Sequence, residues 1–210
     1  MINWLQSIIA TVQSMSPWEL VAVVLAITYL LLAIKENVWC WLFAFTSTAI
    51  YTGLFWDVSL LMDSALNVYY MAMAVFGWYQ WTHGGGNGDQ QSSELGVQSM
   101  SGRQHVTVIL LTVVLSLISG NLLSEHSAAA WPYVDSFTTW ASVIATYLVA
   151  RKYLQNWLYW IVIDAVSVPL YFERGLYLTV LLFIAYIVIA YFGYVSWRKT
   201  FYGSEPNDTA

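Results

Sequence analysis

Seven segments of this chain are apolar and long enough to cross a lipid bilayer as α-helices. Even the shortest would cover roughly 25 Å at the rise of an α-helix, which is close to the lower limit for a span. Strands of a membrane barrel would be about ten residues long and would alternate in polarity. The sequence therefore predicts an all-α integral membrane protein with seven transmembrane helices at 17–34, 38–56, 59–81, 105–123, 133–150, 156–172 and 175–197.

The composition supports this fold class. Only 9% of the residues are charged and 59% are hydrophobic, whereas about 25% of a soluble domain is charged. We therefore expect the lipid bilayer to be the main solvent and partner of the chain. The seven basic residues form no patch and the net charge is −5, which argues against nucleic-acid binding. Cys40 is the single cysteine, so an internal disulfide is excluded.

The N-terminal region contains two helix signals. Ser16, Pro17 and Glu19 fit a capping box with proline at the first helical position, so a helix should begin here. Upstream, apolar side chains recur at helical spacing on one face, which predicts a short interfacial amphipathic helix over residues 1–15. These side chains belong to Trp4, Leu5, Ile8, Ile9 and Val12.

The distribution of basic residues predicts the orientation. With seven spans, the loops 35–37, 82–104 and 151–155 share one side with the tail 198–210. That side holds Lys35, Arg103, Arg151, Lys152, Arg198 and Lys199. The opposite side holds only Arg174, so the N-terminus should lie outside and the C-terminus in the cytoplasm. The stretch 82–104 is rich in Gly, Ser and Gln, which indicates a flexible cytoplasmic linker.

Two parts of the sequence resemble each other. "ITYLLLAIKENVWCW" (27–41) compares with "ATYLVARKYLQNWLYW" (145–160), matching Trp41 with Trp160. "YYMAMAVFGWYQW" (69–81) compares with "AYIVIAYFGYVSW" (185–197). This order predicts two three-helix repeats, 17–81 and 131–197, joined by one connecting transmembrane helix at 105–123. The extra span lets both repeats point the same way. The architecture is then 3+1+3, with parallel repeats about an axis along the membrane normal, as in some transporters.

Polar and aromatic residues follow one face of several predicted spans. Asp63, Asn67 and Tyr70 share a face of the third span, and Trp160, Asp164 and Tyr171 share a face of the sixth. Such faces should point inward, because polar groups in lipid are costly. They either bind a small molecule or hydrogen-bond between helices and hold the bundle together. Aromatic faces beside a carboxylate suit a flat cationic ring.

Two further sets of residues have simpler interpretations. Gly77 and Gly193 are interpreted as close-packing sites, and Trp18, Trp131, Tyr133 and Trp197 as part of an interfacial aromatic belt. The histidines lie at span ends on both sides of the membrane, so they cannot share a metal site. No Ser/His/Asp set falls at one depth. We therefore predict that the chain is not an enzyme and needs no metal or cofactor.

These residues resemble the PnuC nicotinamide riboside transporters. The resemblance rests on "DSALNVYYMAMAVFGWYQW" (63–81), "NWLYWIVIDAVSVPLY" (156–171) and "LYLTVLLFIAYIVIAYFGYVSWRK" (176–199). It implies a 3+1+3 fold like that of the SWEET sugar carriers, and homotrimers in the bacterial cell inner membrane. It also implies facilitated diffusion of nicotinamide riboside, which a cytoplasmic nucleoside kinase then phosphorylates for NAD synthesis. Related members carry thiamine or riboflavin, so both stay open as ligands, as does a non-transporting scaffold.

For nicotinamide riboside, the resemblance and the polar faces together assign roles. Trp160 and Tyr171 would contact the pyridinium ring, and Asp164 would supply negative potential. Tyr70 would be a wall or gate. Asn67, Asn156 and Gln80 would reach hydroxyls or the carboxamide. Asp63 and Trp41 complete the predicted substrate-binding set.

Overall fold

The computed structural model describes residues 2–57, 61–85, 94–126 and 131–203. Within these ranges the chain forms eight α-helices, and its β-pairing is limited to an isolated bridge between Gln98 and Tyr153. The helices are Ile2–Ser14 (α1), Pro17–Ile34 (α2), Cys40–Asp57 (α3), Leu61–His83 (α4), Gly102–His126 (α5), Pro132–Ala150 (α6), Asn156–Glu173 (α7) and Tyr177–Gly203 (α8). The all-α class is confirmed, and α2 to α8 coincide with the seven predicted spans.

Three of these helices, α2, α5 and α8, are long and apolar enough to cross a membrane by length and composition. The others are less apolar because they carry the polar faces, and the number of seven spans stays a prediction. The start of α2 is as predicted: Ser16 Oγ accepts the Glu19 N–H at 3.1 Å, and Pro17 occupies the first turn. Helix α1 exposes Trp4, Leu5 and Ile9, and its position relative to a membrane stays a prediction.

The helices form two groups of three that pack against each other. Helix α3 contacts both α2 and α4, and α7 contacts both α6 and α8. Between the groups, α4 packs on α6 and α8 packs on α2. Helix α5 packs mainly on α6, meets α7 through the contact between His105 and Tyr159, and exposes apolar side chains along most of its length. The third helix of each group therefore packs on the first helix of the other group.

Equivalent positions in the two groups are 116 residues apart. Trp197 Nε1 donates to the Ala33 carbonyl at 2.9 Å, and at the matching positions Trp81 Nε1 donates to the Val149 carbonyl at 3.2 Å. Each bond crosses from one group to the other. Trp197 is fully buried, so the prediction that it belongs to an interfacial belt is wrong: its N–H is satisfied by a helix-end carbonyl.

The same spacing corrects one predicted match between the repeats. A Cβ at Gly77 would clash with the indole of Trp41, and a Cβ at Gly193 would clash with the indole of Trp157. The structure thus equates Trp41 with Trp157, not with Trp160, because each indole fills the space beside the equivalent glycine. The interpretation of both glycines as close-packing sites is confirmed.

The loops that follow α2 and α6 have the same backbone path. Glu36 (φ 55°) and Lys152 (φ 51°) both adopt the left-handed conformation that ends a helix. They occupy equivalent positions, yet their charges are opposite, and Lys152 Nζ lies 3.3 Å from Glu36 Oε2. Both side chains are largely buried. This ion pair ties the loop of one group to the loop of the other.

The connection between α4 and α5 is shorter than the predicted linker 82–104, because both ends of that stretch are helical. Residues up to His83 belong to α4 and those from Gly102 belong to α5. Residues 94–101, called the strap below, are held against the loop that precedes α7. Residues 86–93 of the predicted linker and 204–210 of the predicted tail lie outside the described residues.

Backbone hydrogen bonds fix the strap. Gln98 N–H donates to the Lys152 carbonyl at 2.9 Å, and Leu154 N–H donates to the Gln98 carbonyl at 2.8 Å. Leu95 and Met100 are buried. The prediction of a flexible linker is therefore wrong for residues 94–101, because the bundle buries two of their apolar side chains and accepts or donates backbone hydrogen bonds at Gln98.

Candidate functional site

A cavity of about 290 Å³ lies between the two helix groups. Its volume is near the lower end of the range for small-molecule sites. Aromatic and aliphatic side chains make most of its wall. The lining residues are Ala26, Tyr29, Leu30, Trp41, Ala44, Ser47, Thr48, Tyr51, Tyr70, Thr146, Val149, Trp157, Trp160, Asp164, Phe183, Tyr186, Ile189 and Ala190.

Two equivalent tryptophans form opposite parts of this wall. Trp41 lies in the first turn of α3 and Trp157 in the first turn of α7. Each is 2% exposed, and the indole N–H of each has no hydrogen-bond partner in the described part of the chain. An unpaired buried donor costs about 1–3 kcal/mol. Both N–H groups are enclosed by the bundle, so these indoles contribute ring surface, and not a hydrogen-bond donor, to the cavity wall.

The acid predicted at the site does line the cavity. Asp164 is 4% exposed, and its carboxylate makes no ion pair or hydrogen bond with the described residues. Trp160 precedes it by one helical turn and also lines the cavity. Among the described lining residues Asp164 is the only charged side chain. A carboxylate in this environment strongly favours a bound cation.

Two equivalent tyrosines face the same space. Tyr70, from α4, was predicted, whereas Tyr186, from α8, was not assigned to the site. Tyr29 and Tyr51 add two further phenol rings from α2 and α3. The wall therefore combines indole and phenol faces with a carboxylate, which is the combination that favours a flat cationic ring.

A row of four indoles lies behind one end of the cavity. Trp41 and Trp81 meet edge to face at 5.4 Å between ring centroids, Trp81 and Trp197 lie 5.8 Å apart, and Trp197 meets Trp157 at 5.4 Å. Lys152 Nζ lies 4.6 Å from the centre of the Trp81 ring. This end of the bundle is thus closed by packed rings and by the ion pair beyond them.

Three of the predicted binding residues lie away from the cavity. Asn156 is fully buried at the start of α7, where its Nδ2 donates to the Tyr153 carbonyl at 2.7 Å. Asn67 Nδ2 donates to the Asp63 carbonyl at 2.9 Å within α4. Gln80 Oε1 accepts from Arg151 at 3.4 Å. None of the three lines the cavity.

Two more predicted residues lie near the end of the bundle that is far from the row of four indoles. Tyr171 stacks on Phe183 at 5.2 Å between centroids, and the Arg174 guanidinium lies 5.9 Å from its ring. Asp63 is exposed in the first turn of α4. Of the nine predicted residues, the structure therefore brings four together in the cavity wall: Trp41, Tyr70, Trp160 and Asp164.

Several lining residues were missed by sequence reasoning, although some carried a signal. Tyr186 is the repeat equivalent of Tyr70, and Thr48 is the repeat equivalent of Asp164. Trp157 is the repeat equivalent of Trp41, and it lies on the face of α7 that carries Trp160 and Asp164. Applying the register of the second matched pair of segments, 69–81 and 185–197, to every predicted position would have found these three. Tyr29 and Phe183 carry no comparable signal.

The fold is that of a helical, multi-pass membrane protein with a cavity between two helix groups. The sequence pattern of the nicotinamide mononucleotide transporter family matches residues 16–199, so the chain belongs to that family, as its resemblance to the PnuC transporters predicted.

The chain is similar to several characterised proteins along most of its length. It is 24% identical to the riboflavin/roseoflavin transporter RibM of Streptomyces davaonensis over 93% of this chain and 92% of the relative. It is 25% identical to the nicotinamide riboside transporter PnuC of Escherichia coli strain K12 over 79% and 78%. The crystal structure of the vitamin B3 transporter PnuC superposes with a TM-score of 0.69 at 22% identity, covering 93% of this chain and 86% of that one.

Proposed function

We propose that this protein is a bacterial inner-membrane carrier that passes nicotinamide riboside by facilitated diffusion. The observation that carries the proposal is Asp164, an unpaired carboxylate in the wall of a cavity otherwise made of uncharged and aromatic side chains. Nicotinamide riboside has a flat pyridinium ring with one positive charge. Trp160 offers a ring face and Asp164 a negative charge to that cation.

The charge of the cavity also separates this ligand from its phosphorylated form. The described lining contains no Lys, Arg or His. A phosphate group is bound most strongly by such cationic side chains, and it would be repelled by Asp164. We therefore expect the unphosphorylated riboside, not the mononucleotide in the family's name, to be the transported species.

We assign the chain the 3+1+3 architecture, with α2–α4 and α6–α8 as parallel repeats and α5 as the connecting helix. Three observations support it: the equivalent bonds of Trp81 and Trp197, the equivalent loops at Glu36 and Lys152, and the equivalent packing at Gly77 and Gly193. The cavity then lies on the axis that relates the repeats. A site in this position can be opened to either side when one repeat rocks against the other.

The remaining parts of the proposal follow from the resemblance. Transport needs no ion gradient, and a cytoplasmic nucleoside kinase makes uptake directional by phosphorylating the product. The N-terminus lies outside and the C-terminus in the cytoplasm. Three copies form a homotrimer in the membrane, and the exposed apolar side chains of α5 are shared between lipid and neighbouring copies.

Binding to purified protein tests the ligand. We expect nicotinamide riboside to bind in isothermal titration calorimetry and the mononucleotide to bind far more weakly. Asp164→Asn should weaken riboside binding by about tenfold to a hundredfold, the value of a charge-assisted contact. Asp57→Asn, which changes an exposed carboxylate at the end of α3, is the matched control. Equal binding by both variants would remove Asp164 from the site.

A second variant tests the aromatic wall. Trp160→Ala should weaken riboside binding by about twofold to thirtyfold through lost cation–π contact. Trp56→Ala, at a position 65% exposed, is the control for tryptophan removal.

Riboflavin is the second candidate, because RibM matches this chain over almost its whole length. Riboflavin is neutral, so Asp164→Asn should leave its binding nearly unchanged, whereas binding of the cations nicotinamide riboside and thiamine should fall. Measuring the affinity of the unmodified protein and of the Asp164→Asn variant for each of the three vitamins separates these ligands. A scaffold would exchange none of them in proteoliposomes.

A further inference from the structure

The two repeats contribute unequal walls to the cavity, and two of the unequal pairs of positions lie on α3 and α7. Trp41 and Trp157 are identical equivalents, as are Tyr70 and Tyr186. In contrast, the equivalent of Trp160 is Ala44, and the equivalent of Asp164 is Thr48. All of these side chains line the cavity. At these two pairs of positions the ligand meets an indole and a carboxylate on α7, but a methyl group and a hydroxyl on α3.

The hydroxyls on the α3 side can accept hydrogen bonds. Thr48 Oγ1 donates to the Ala44 carbonyl at 2.8 Å, and Ser47 Oγ donates to the Ala22 carbonyl at 2.8 Å. A hydroxyl has one donor hydrogen and two acceptor lone pairs. Because both donor hydrogens are in use, each oxygen presents acceptors only. Groups that donate, such as sugar hydroxyls, match this surface.

Ala44 is the smallest of the α3 side chains that line the cavity. Trp160 presents an indole at the equivalent position on α7, whereas Ala44 presents only a methyl group. A larger side chain at Ala44 would therefore enter the cavity. The α3 side thus offers a small side chain and hydroxyl acceptors in the same part of the wall.

We infer that Ala44 and Thr48 form a second subsite, which takes the hydroxyl-bearing part of the ligand while Trp160 and Asp164 hold its cationic ring. Ala44 sets the size of the group that fits, and Thr48 binds its hydroxyls. This inference rests on the proposed function and adds an orientation: the ring lies against α7 and the sugar against α3. The asymmetry between the repeats then determines which vitamin is accepted.

A pair of probes with the same ring tests the orientation. Nicotinamide riboside carries the ribose, whereas 1-methylnicotinamide has the same cationic ring with a methyl group in its place. Ala44→Leu should weaken riboside binding at least tenfold, because the larger side chain occupies the sugar's space. The affinity of the Ala44→Leu variant for 1-methylnicotinamide should equal that of the unmodified protein. Asp164→Asn should weaken both probes, since both carry the charge.

A smaller change protects the test against misfolding. Thr48→Val is nearly isosteric and should weaken riboside binding by about threefold to tenfold through the lost hydroxyl contact. Thr46→Val is the matched control, because Thr46 lies on the exposed face of α3 and its hydroxyl also bonds to a carbonyl one turn earlier. Ala185→Leu, on the exposed face of α8, is the control for Ala44→Leu.

The outcomes separate the two proposals. If the unmodified protein does not bind nicotinamide riboside, the proposed function fails. If it binds the riboside but Ala44→Leu and Thr48→Val leave its affinity unchanged, the subsite is overturned and the proposed function stands. Equal losses for both probes in folded α3 variants would also overturn it, because the α3 side would then contact the ring.

Discussion

Two glycines determine how closely the helices approach behind the cavity. Gly77 on α4 and Gly193 on α8 each leave space for one indole, that of Trp41 or Trp157. Both indoles are part of the cavity wall, so the absence of a Cβ at the glycine sets the position of a ring that faces the ligand. A Cβ added at either glycine would therefore change both the helix packing and the shape of the cavity.

Gly193→Ala should destabilise the protein by about 1–3 kcal/mol, because its Cβ overlaps the Trp157 indole and forces the ring to shift. Gly53→Ala is the control: nothing lies within 4 Å of a Cβ there, and alanine is the better helix former by about 1 kcal/mol. Thermal unfolding in detergent, followed by tryptophan fluorescence, measures both. A Gly193→Ala protein as stable as Gly53→Ala would contradict the packing described.

Two ion pairs join elements at opposite ends of the bundle, and their surroundings differ. Lys152 and Glu36 link the loops after α6 and α2, with side chains 7% and 19% exposed. Arg174 and Asp135 link the turn after α7 to the start of α6, with side chains 37% and 30% exposed. Water screens the second pair far more than the first. Removing one partner of the first pair leaves a buried charge uncompensated.

Double-mutant cycles should therefore give different coupling energies. For Glu36→Gln with Lys152→Gln we expect a coupling above about 1 kcal/mol, and for Asp135→Asn with Arg174→Gln one below about 1 kcal/mol. Unfolding in detergent at low and high salt supplies the numbers, and added salt should reduce the second coupling more. Equal couplings at both sites would show that burial does not distinguish the pairs.

At the scale of the whole molecule, the two helix groups meet through equivalent contacts but carry one unpaired carboxylate between them. The proposed carrier moves a cation across the membrane without another ion. Its substrate should then distribute according to membrane potential alone. One charge moved through 100 mV corresponds to about 2.3 kcal/mol.

In proteoliposomes without a gradient, labelled nicotinamide riboside should reach equal concentrations inside and outside. A potassium diffusion potential of about 60 mV, negative inside, should raise the internal concentration about tenfold. A pH or sodium gradient imposed at zero potential should change nothing. Accumulation driven by either gradient at zero potential would show ion coupling and overturn the uniport proposal.

The sequence by itself determined the helices, because their signals are local. Apolar length, the Ser16–Glu19 cap and the loop compositions lie within short stretches, and each helix end is set by its own neighbours. The face of α7 that carries Trp160 and Asp164 was also readable, since helical periodicity puts residues three and four apart together. The strap was misread because its fixation depends on backbone partners far along the chain.

Only the tertiary structure decided which part of each polar face is the site. A face runs the full length of its helix, whereas the cavity occupies part of that length. Tyr171 shares the face of Asp164, but it lies almost two helical turns further along α7, outside the cavity lining, and stacks on Phe183. The position of the cavity along a helix depends on where the neighbouring helices separate. The periodicity of a single segment cannot predict that position, because it depends on packing between distant segments.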